Sequence, residues 1–404
     1  MKRDSINQSV QKETNLAVVL RTLRTGRATT RVELAEATGL AQASITKIVS
    51  QLIEWGTISE CESVGTGVGR KAIRLRLNAG EFRVAAVRIN RRYMITAIYD
   101  LDGRQYDVIQ QRISHADGAR ASVERLVEQL RALLARAERP VMSIGVAVPG
   151  PFNCKTGRIT LMSGFPGWNE IDLREILTGA FGLPVFVDQD ANCGALAELW
   201  CAKEAAESDM IFVAADRGIG AGLILDYGIY RGHDGYAGEI GHSSINAFGP
   251  RCECGNRGCL EMYGSTTALE NIYRQDVFDP MEPAPAAIDI NAEWILQKVR
   301  EGDPAAQRAY RKTVAYLCFG LVGMINTLNP NVVVFSDRLV NGGELFLETA
   351  RQTFRQYLMP EIYENLRVKI CTLDGDPMLL GASVLAFNQM LQTPSAYFQR
   401  ENVH

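Results

Sequence analysis

One stretch, Gly235–Glu261, reads GYAGEIGHSSINAFGPRCECGNRGCLE and limits what this chain can become more than any other. It brings His242, Cys252, Cys254 and Cys259 into one short segment. Three soft thiolates and an imidazole form a ligand set that tetrahedral zinc takes and few other ions prefer. Four ligands leave no open position, so the expected zinc is structural: it clamps residues 246–251 into a fixed loop and does no chemistry itself. The alternative is three small buried cysteines in a glycine-rich turn. Against it stands the spacing Cys-x-Cys-x4-Cys with a histidine ten positions upstream, in a chain with only 4 His to place. A DNA-reading zinc finger does not fit, because no ribbon or helix of finger length separates the ligand pairs.

The same stretch carries acids where a clamped loop would present them. Glu239 precedes His242 by three residues and Glu261 follows Cys259 by two, so both can face one pocket. Glu-x-Gly-His followed by Cys-x-Cys-Gly-x2-Gly-Cys-x-Glu resembles the signature of the ROK family, which holds sugar kinases and sugar-responsive transcriptional repressors. The resemblance runs from about residue 82 to the C-terminus. It implies a two-lobed, actin-like ATPase fold of the α/β class with a sugar cleft between the lobes. The first lobe is expected over 81–195 and the second over 196–404, with a C-terminal helix returning to the first.

Residues 80–395 support the class independently. Val84–Ile89, Met94–Tyr99, Met142–Val148, Val185–Val187, Met210–Ala214, Ala221–Leu225, Val332–Phe335 and Val368–Cys371 are strand-like. Ala121–Ala137, Ala191–Trp200 and a tract from about Ala305 to Leu328 are helix-like. Such alternation predicts sheets covered on their faces by helices. Periodicity gives no more than the α/β class.

Residues 1–78 carry 12 Lys/Arg against 7 Asp/Glu, or +5, while the whole chain is −3, which leaves −8 for the remainder. A basic head on an acidic body suggests a nucleic-acid-binding module. Leu16, Val19, Leu20 and Leu23 recur at helical spacing, and a second short helix around Val32–Ala35 ends at Gly39. Ile45, Ile48, Val49, Leu52 and Ile53 then form an apolar stripe. This pattern predicts a helix-turn-helix over residues 1–80, with Gln42, Ser44, Thr46, Lys47 and Ser50 available to bases and phosphates. Two strands, Ile58–Val64 and Ala72–Leu77, read as a wing with Arg70 and Lys71 at its tip. The alternative is a small helical packing domain with a basic surface.

Hydrophobic residues make up 47% of the chain, enough for two or three cores. No charged-then-apolar leader opens the sequence, and the weakly polar run Val314–Leu328 is shorter than the roughly 20 residues of a membrane span. A cytoplasmic protein with no membrane partner is expected. Cys61, Cys154, Cys193, Cys201, Cys318 and Cys371 lack paired spacing and read as small buried hydrophobes in a reducing compartment.

The segment Val187-Asp188-Gln189-Asp190-Ala191-Asn192 ends a strand and opens a helix, where side chains commonly reach a cleft. In ROK kinases the matching segment is Asn-Asp-x-Asn, whose Asp deprotonates the attacking sugar hydroxyl. Asp190 and Asn192 match, and Gln189 replaces the Asn. The resemblance thus implies a sugar site of Gln189, Asp190, Asn192, Glu239, His242 and Glu261, although Asp190 also reads as a helix cap. The kinases open the domain with Asp-x-Gly-x-Thr, where this chain has Arg88-Ile89-Asn90-Arg91-Arg92. Their Gly-Thr-Gly-x-Gly loop stands here as Asp216-Arg217-Gly218-Ile219-Gly220, and Val334-Phe335-Ser336-Asp337-Arg338 lacks the glycine pair that borders adenine. These departures favour a regulator that binds a sugar or sugar phosphate without phosphorylating it and binds operator DNA as a homodimer or homotetramer. Sugar closing the cleft is expected to rotate the lobes and re-space the heads. The competing readings are an active sugar kinase with an added DNA-binding head, and a constitutive DNA binder with a vestigial pocket.

Overall fold

The computed structural model describes residues 8–24, 26, 28–61, 73–114, 118–162, 167–201, 208–277 and 290–399. Helices Gln8–Arg24, Arg31–Thr38 and Gln42–Glu54 precede an antiparallel pair of strands, Ile58–Cys61 and Arg74–Leu77. The second helix starts where Thr30 and Glu33 form a reciprocal capping box, which satisfies two otherwise orphaned N–H groups. The third helix has no such device, because Ala41 supplies no side-chain cap. Its apolar stripe buries Ile45, Ile48, Val49 and Leu52 against Leu16, Val19 and Leu20. Ile53, expected in that stripe, is 36% exposed. Eight residues of helix turn about 80° past alignment with Ile45, which carries this position off the packed face. The first wing strand is described over Ile58–Cys61, and the rest of its expected span, with the turn carrying Arg70 and Lys71, lies outside the described residues.

The body holds two five-stranded sheets of one topology. In the first, the strands run in the order Gln105–Arg112, Tyr93–Asp100, Arg83–Ile89, Val141–Val148, Val185–Gln189. In the second the order is Gly228–Tyr230, Ile219–Leu225, Met210–Ala215, Val332–Ser336, Arg367–Ile370. Each sheet is antiparallel on one side and parallel on the other. Arg83–Ile89 and Val332–Ser336 are buried at every position, as strands covered on both faces must be.

The helix Asp190–Cys201 packs against strands Met210–Ala215 and Ile219–Leu225 of the second sheet and against the C-terminal helix Pro377–Met390. That C-terminal helix in turn lies on strands Arg83–Ile89 and Val141–Val148 of the first sheet. Helix Pro304–Leu328 carries the core of the second lobe through Tyr310, Val314, Leu317 and Leu321. No helix among the described residues is long and apolar enough to cross a membrane. The expectation for the scattered cysteines holds only in part: Cys193 and Cys318 are buried, whereas Cys61, Cys154, Cys201 and Cys371 are half-buried.

Candidate functional site: a thiol cluster beside an acidic cleft

The segment that carries the acids is pinned to the second sheet by close backbone approach. Gly238 has φ +91°, and a Cβ there would overlap the Ala221 carbonyl, so only glycine lets the chain lie this close to strand Ile219–Leu225. The next residues, Glu239 and the tight turn Ile240–His242, are thereby set over the interlobe cleft.

Ligand atoms of His242, Cys252, Cys254 and Cys259 all lie within 4.8 Å of one another. Cys254 Sγ and Cys259 Sγ are 3.6 Å apart, and Cys252 Sγ is 3.7 Å from His242 Nδ1. A metal with bonds of about 2.3 Å to sulfur in tetrahedral geometry needs donor separations of about 3.8 Å, so the set fits such an ion. With Nδ1 turned to the thiols, Nε2 is left to the cleft that His242 also lines. Glu261 Oε1 stands 3.4 Å from that Nδ1 and 3.1 Å from Cys252 Sγ, joining the cluster to the cleft.

Gln189, Asp190, Glu239, His242 and Glu261 line one side of the cleft together. Gln189 Nε2 donates to Glu239 Oε1 at 3.1 Å, while Gln189 Oε1 is buried without a hydrogen-bond partner. A buried carbonyl in that condition is an acceptor that a ligand hydroxyl can satisfy. Burial, aided by the neighbouring Asp190 and Glu261 charges, pushes the Glu239 carboxyl up to about 8. Burial also lifts Asp190 to about 6, against the opposing pull of Arg88. Asn192 is buried, and its amide donates to Asp188 Oδ1 at 2.9 Å. Two residues along a helix from Asp190 it points to another face, where Asp188 also receives Arg231 at 2.7 Å.

The opposite side of the cleft is filled by ion pairs. Arg88, only 6% exposed, donates to Asp376 at 2.6 Å and to Asp337 at 2.9 Å. Burial alone would lower its basicity, but the two carboxylates hold it above the ordinary arginine value. Asp337 has φ 71° and ψ −162°, a backbone conformation nearly reserved for glycine, and its bond to Arg88 helps to hold it there. Asp216 accepts from Arg338 at 2.9 Å and from Thr266 at 3.0 Å. The cleft volume left is about 70 Å³, against roughly 300 Å³ at the small end of ligand pockets.

Asp337 and Asp376 were missed from sequence as partners of Arg88. Asp376-Pro377 at a helix start is the local signal there, and it marks a helix cap with no indication of Arg88. In the head, Gln42, Thr46, Lys47 and Ser50 are exposed on helix Gln42–Glu54 and Ser44 is half-buried. The Thr46 hydroxyl donates to the Gln42 carbonyl at 2.9 Å.

A family model described as ROK family matches residues 84–389. The xylose repressor of Caldicellulosiruptor bescii is 26% identical over 395 residues, covering 96% of this chain and 99% of its own. Among solved structures, a ROK family transcriptional regulator described as a homologue of the Escherichia coli Mlc protein superposes with a TM-score of 0.81 at 26% identity, over 98% of this chain and 99% of that one. A ROK family glucokinase from Streptomyces griseus, solved with glucose and AMPPNP, gives 0.65 at 26% identity and covers 75% of this chain and 98% of its own.

Proposed function

The chain belongs to the ROK family, and on that premise we propose that it is a sugar-responsive, DNA-binding transcriptional regulator whose kinase-like cleft holds a sugar or sugar derivative without phosphorylating it. The observation that supports this most is the Arg88–Asp337–Asp376 cluster on the side where the family's kinases hold phosphate. A triphosphate there would meet two carboxylates and would have to strip Arg88 from them. Breaking a buried pair of this kind costs about 3–5 kcal/mol. Gln189, Asp190, Glu239, His242 and Glu261 then serve as the polyol side, because carboxylates accept from adjacent hydroxyls and so discriminate epimers. With about 70 Å³ left in the cleft, a sugar would widen it or displace side chains on entry, before any closure of the lobes around it.

Structural zinc on His242, Cys252, Cys254 and Cys259 would fix the loop and Glu261 beside it. Operator binding is assigned to Gln42, Ser44, Thr46, Lys47 and Ser50, with Arg70 and Lys71 as wing contacts. One head touches one half-site, so a homodimer or homotetramer built by the body, residues 81–404, would set two heads about 34 Å apart or a multiple of it. Replacing Lys47 by alanine should weaken DNA binding across sequences and reduce the slope of log affinity against log salt by about one. Anisotropy titrations at several salt concentrations measure this, and an unchanged slope would remove Lys47 from the interface.

A second reading, an active sugar kinase with a DNA-binding head, is favoured by Asp190, whose carboxyl at about 6 is suited to general-base work near neutral pH. Coupled ATP turnover with D-xylose, D-glucose and N-acetyl-D-glucosamine separates the two readings. No sugar-dependent hydrolysis is expected. Turnover that Asp190→Asn abolishes would establish the kinase.

A further inference from the structure

The helix Asp190–Cys201 has one end in the cleft and the other against the head. Its 12 residues span about 18 Å, and every residue from Ala191 to Glu198 is buried. Gly194 faces the ring of Phe212 so closely that a Cβ would overlap it, so this helix has no slack against the second sheet. A helix packed on all sides transmits displacement as a rigid body.

At its far end Trp200 stacks on Phe387 of the C-terminal helix, with ring centroids 6.4 Å apart and planes at 16°. The guanidinium of Arg24 also lies over the indole, 3.5 Å from the ring centroid. Arg24 also donates through Nη1 to the Trp200 main-chain carbonyl at 3.0 Å. Arg24 is the last residue of the head's first helix, so a side chain from the head caps the negative end of the interlobe helix. The same head helix is held at Glu13, which accepts from the Ser395 backbone N–H at 3.1 Å. Its Leu16, Val19 and Leu20 share one apolar core with Ile45, Val49 and Leu52 of the third helix and with Leu196 and Leu380 of the body.

We propose that Arg24 and Trp200 are positioning residues that carry movement of the cleft end of helix Asp190–Cys201 to the DNA-binding head. This rests on the reading of Asp190 as a cleft contact, but it is tested without any sugar. In hydrogen–deuterium exchange on the full chain, Arg24→Gln and Trp200→Leu should each speed exchange of residues 16–23 about tenfold, with residues 210–225 unchanged. Arg24→Lys should not rescue, because an ammonium lacks the planar face that stacks on indole. Asp190→Asn should change exchange in residues 16–23 by about threefold or more in the wild-type background and leave it unchanged in Trp200→Leu. Should Trp200→Leu lose protection in residues 210–225 as well, Arg24→Gln serves as the background. An Asp190→Asn effect that is absent, or equally large without the Arg24–Trp200 contact, overturns the proposal. The sugar reading fails separately, by a thermal-shift panel in which no sugar binds.

Discussion

In Cys254→Ala, the zinc expected at one equivalent per chain should be lost, the melting temperature should drop and any sugar response should disappear. Cys254 is exposed, so its truncation opens no cavity, and a chain in which it were merely a small side chain would change by no more than about 0.5 kcal/mol. The metal reading demands far more, since structural zinc supplies about 10–16 kcal/mol of folding free energy in small peptides. Only part of that applies to a loop docked on a large body, so a loss of several kcal/mol is expected. The effect reaches the cleft because Glu261 touches both His242 and Cys252. Elemental analysis of protein purified without chelator measures the first part, and melting curves of both proteins measure the second.

Glu239→Gln should raise stability at alkaline pH while impairing sugar binding. The Glu239 carboxyl stands at about 8 in the folded protein against 4.5 ordinarily. Between those values the folded state holds a proton that the unfolded state has released, so stability falls as pH rises through the window. The shift is worth on the order of 3–5 kcal/mol once pH exceeds 8. Glutamine keeps an oxygen to accept from Gln189 and carries no charge to bury. At pH 5 the two proteins should melt alike, and at pH 8.5 the variant should melt several degrees higher. Asp190, lifted to about 6, adds a smaller fall at the acid end of the range that Glu239→Gln leaves in place. Equal melting temperatures at pH 8.5 would remove the buried-acid account of this cleft. A gain in stability from a cleft substitution is the usual mark of a site built for binding at the expense of the fold.

What was legible in the sequence was local. The thiol and imidazole spacing, the two acids flanking it and the strand-to-helix junction at Asp190 all lie within short segments, where residue type and spacing fix the chemistry. What was not legible was long-range. Arg88 stood out as a replacement for a kinase aspartate, but its partners lie 249 and 288 residues away and are set by how the two sheets meet. Arg24 on Trp200, separated by 176 residues, is of the same kind. Asn192 stands apart from the cleft lining because a helix turns about 100° per residue, so two residues from Asp190 lie on different faces even within one motif.

Cleft and head would be joined by linkage: a sugar can loosen the head's hold on DNA only by binding the DNA-free state more tightly, and by the same factor DNA must weaken the sugar. The most direct measurement takes a duplex enriched from a random pool by the full chain and titrates it with and without whichever of D-xylose, D-glucose and N-acetyl-D-glucosamine raises the melting temperature. The account predicts a DNA affinity lower by about fivefold or more at saturating sugar, with no phosphosugar formed when ATP is present. An affinity unchanged at saturation of every sugar that binds would contradict it.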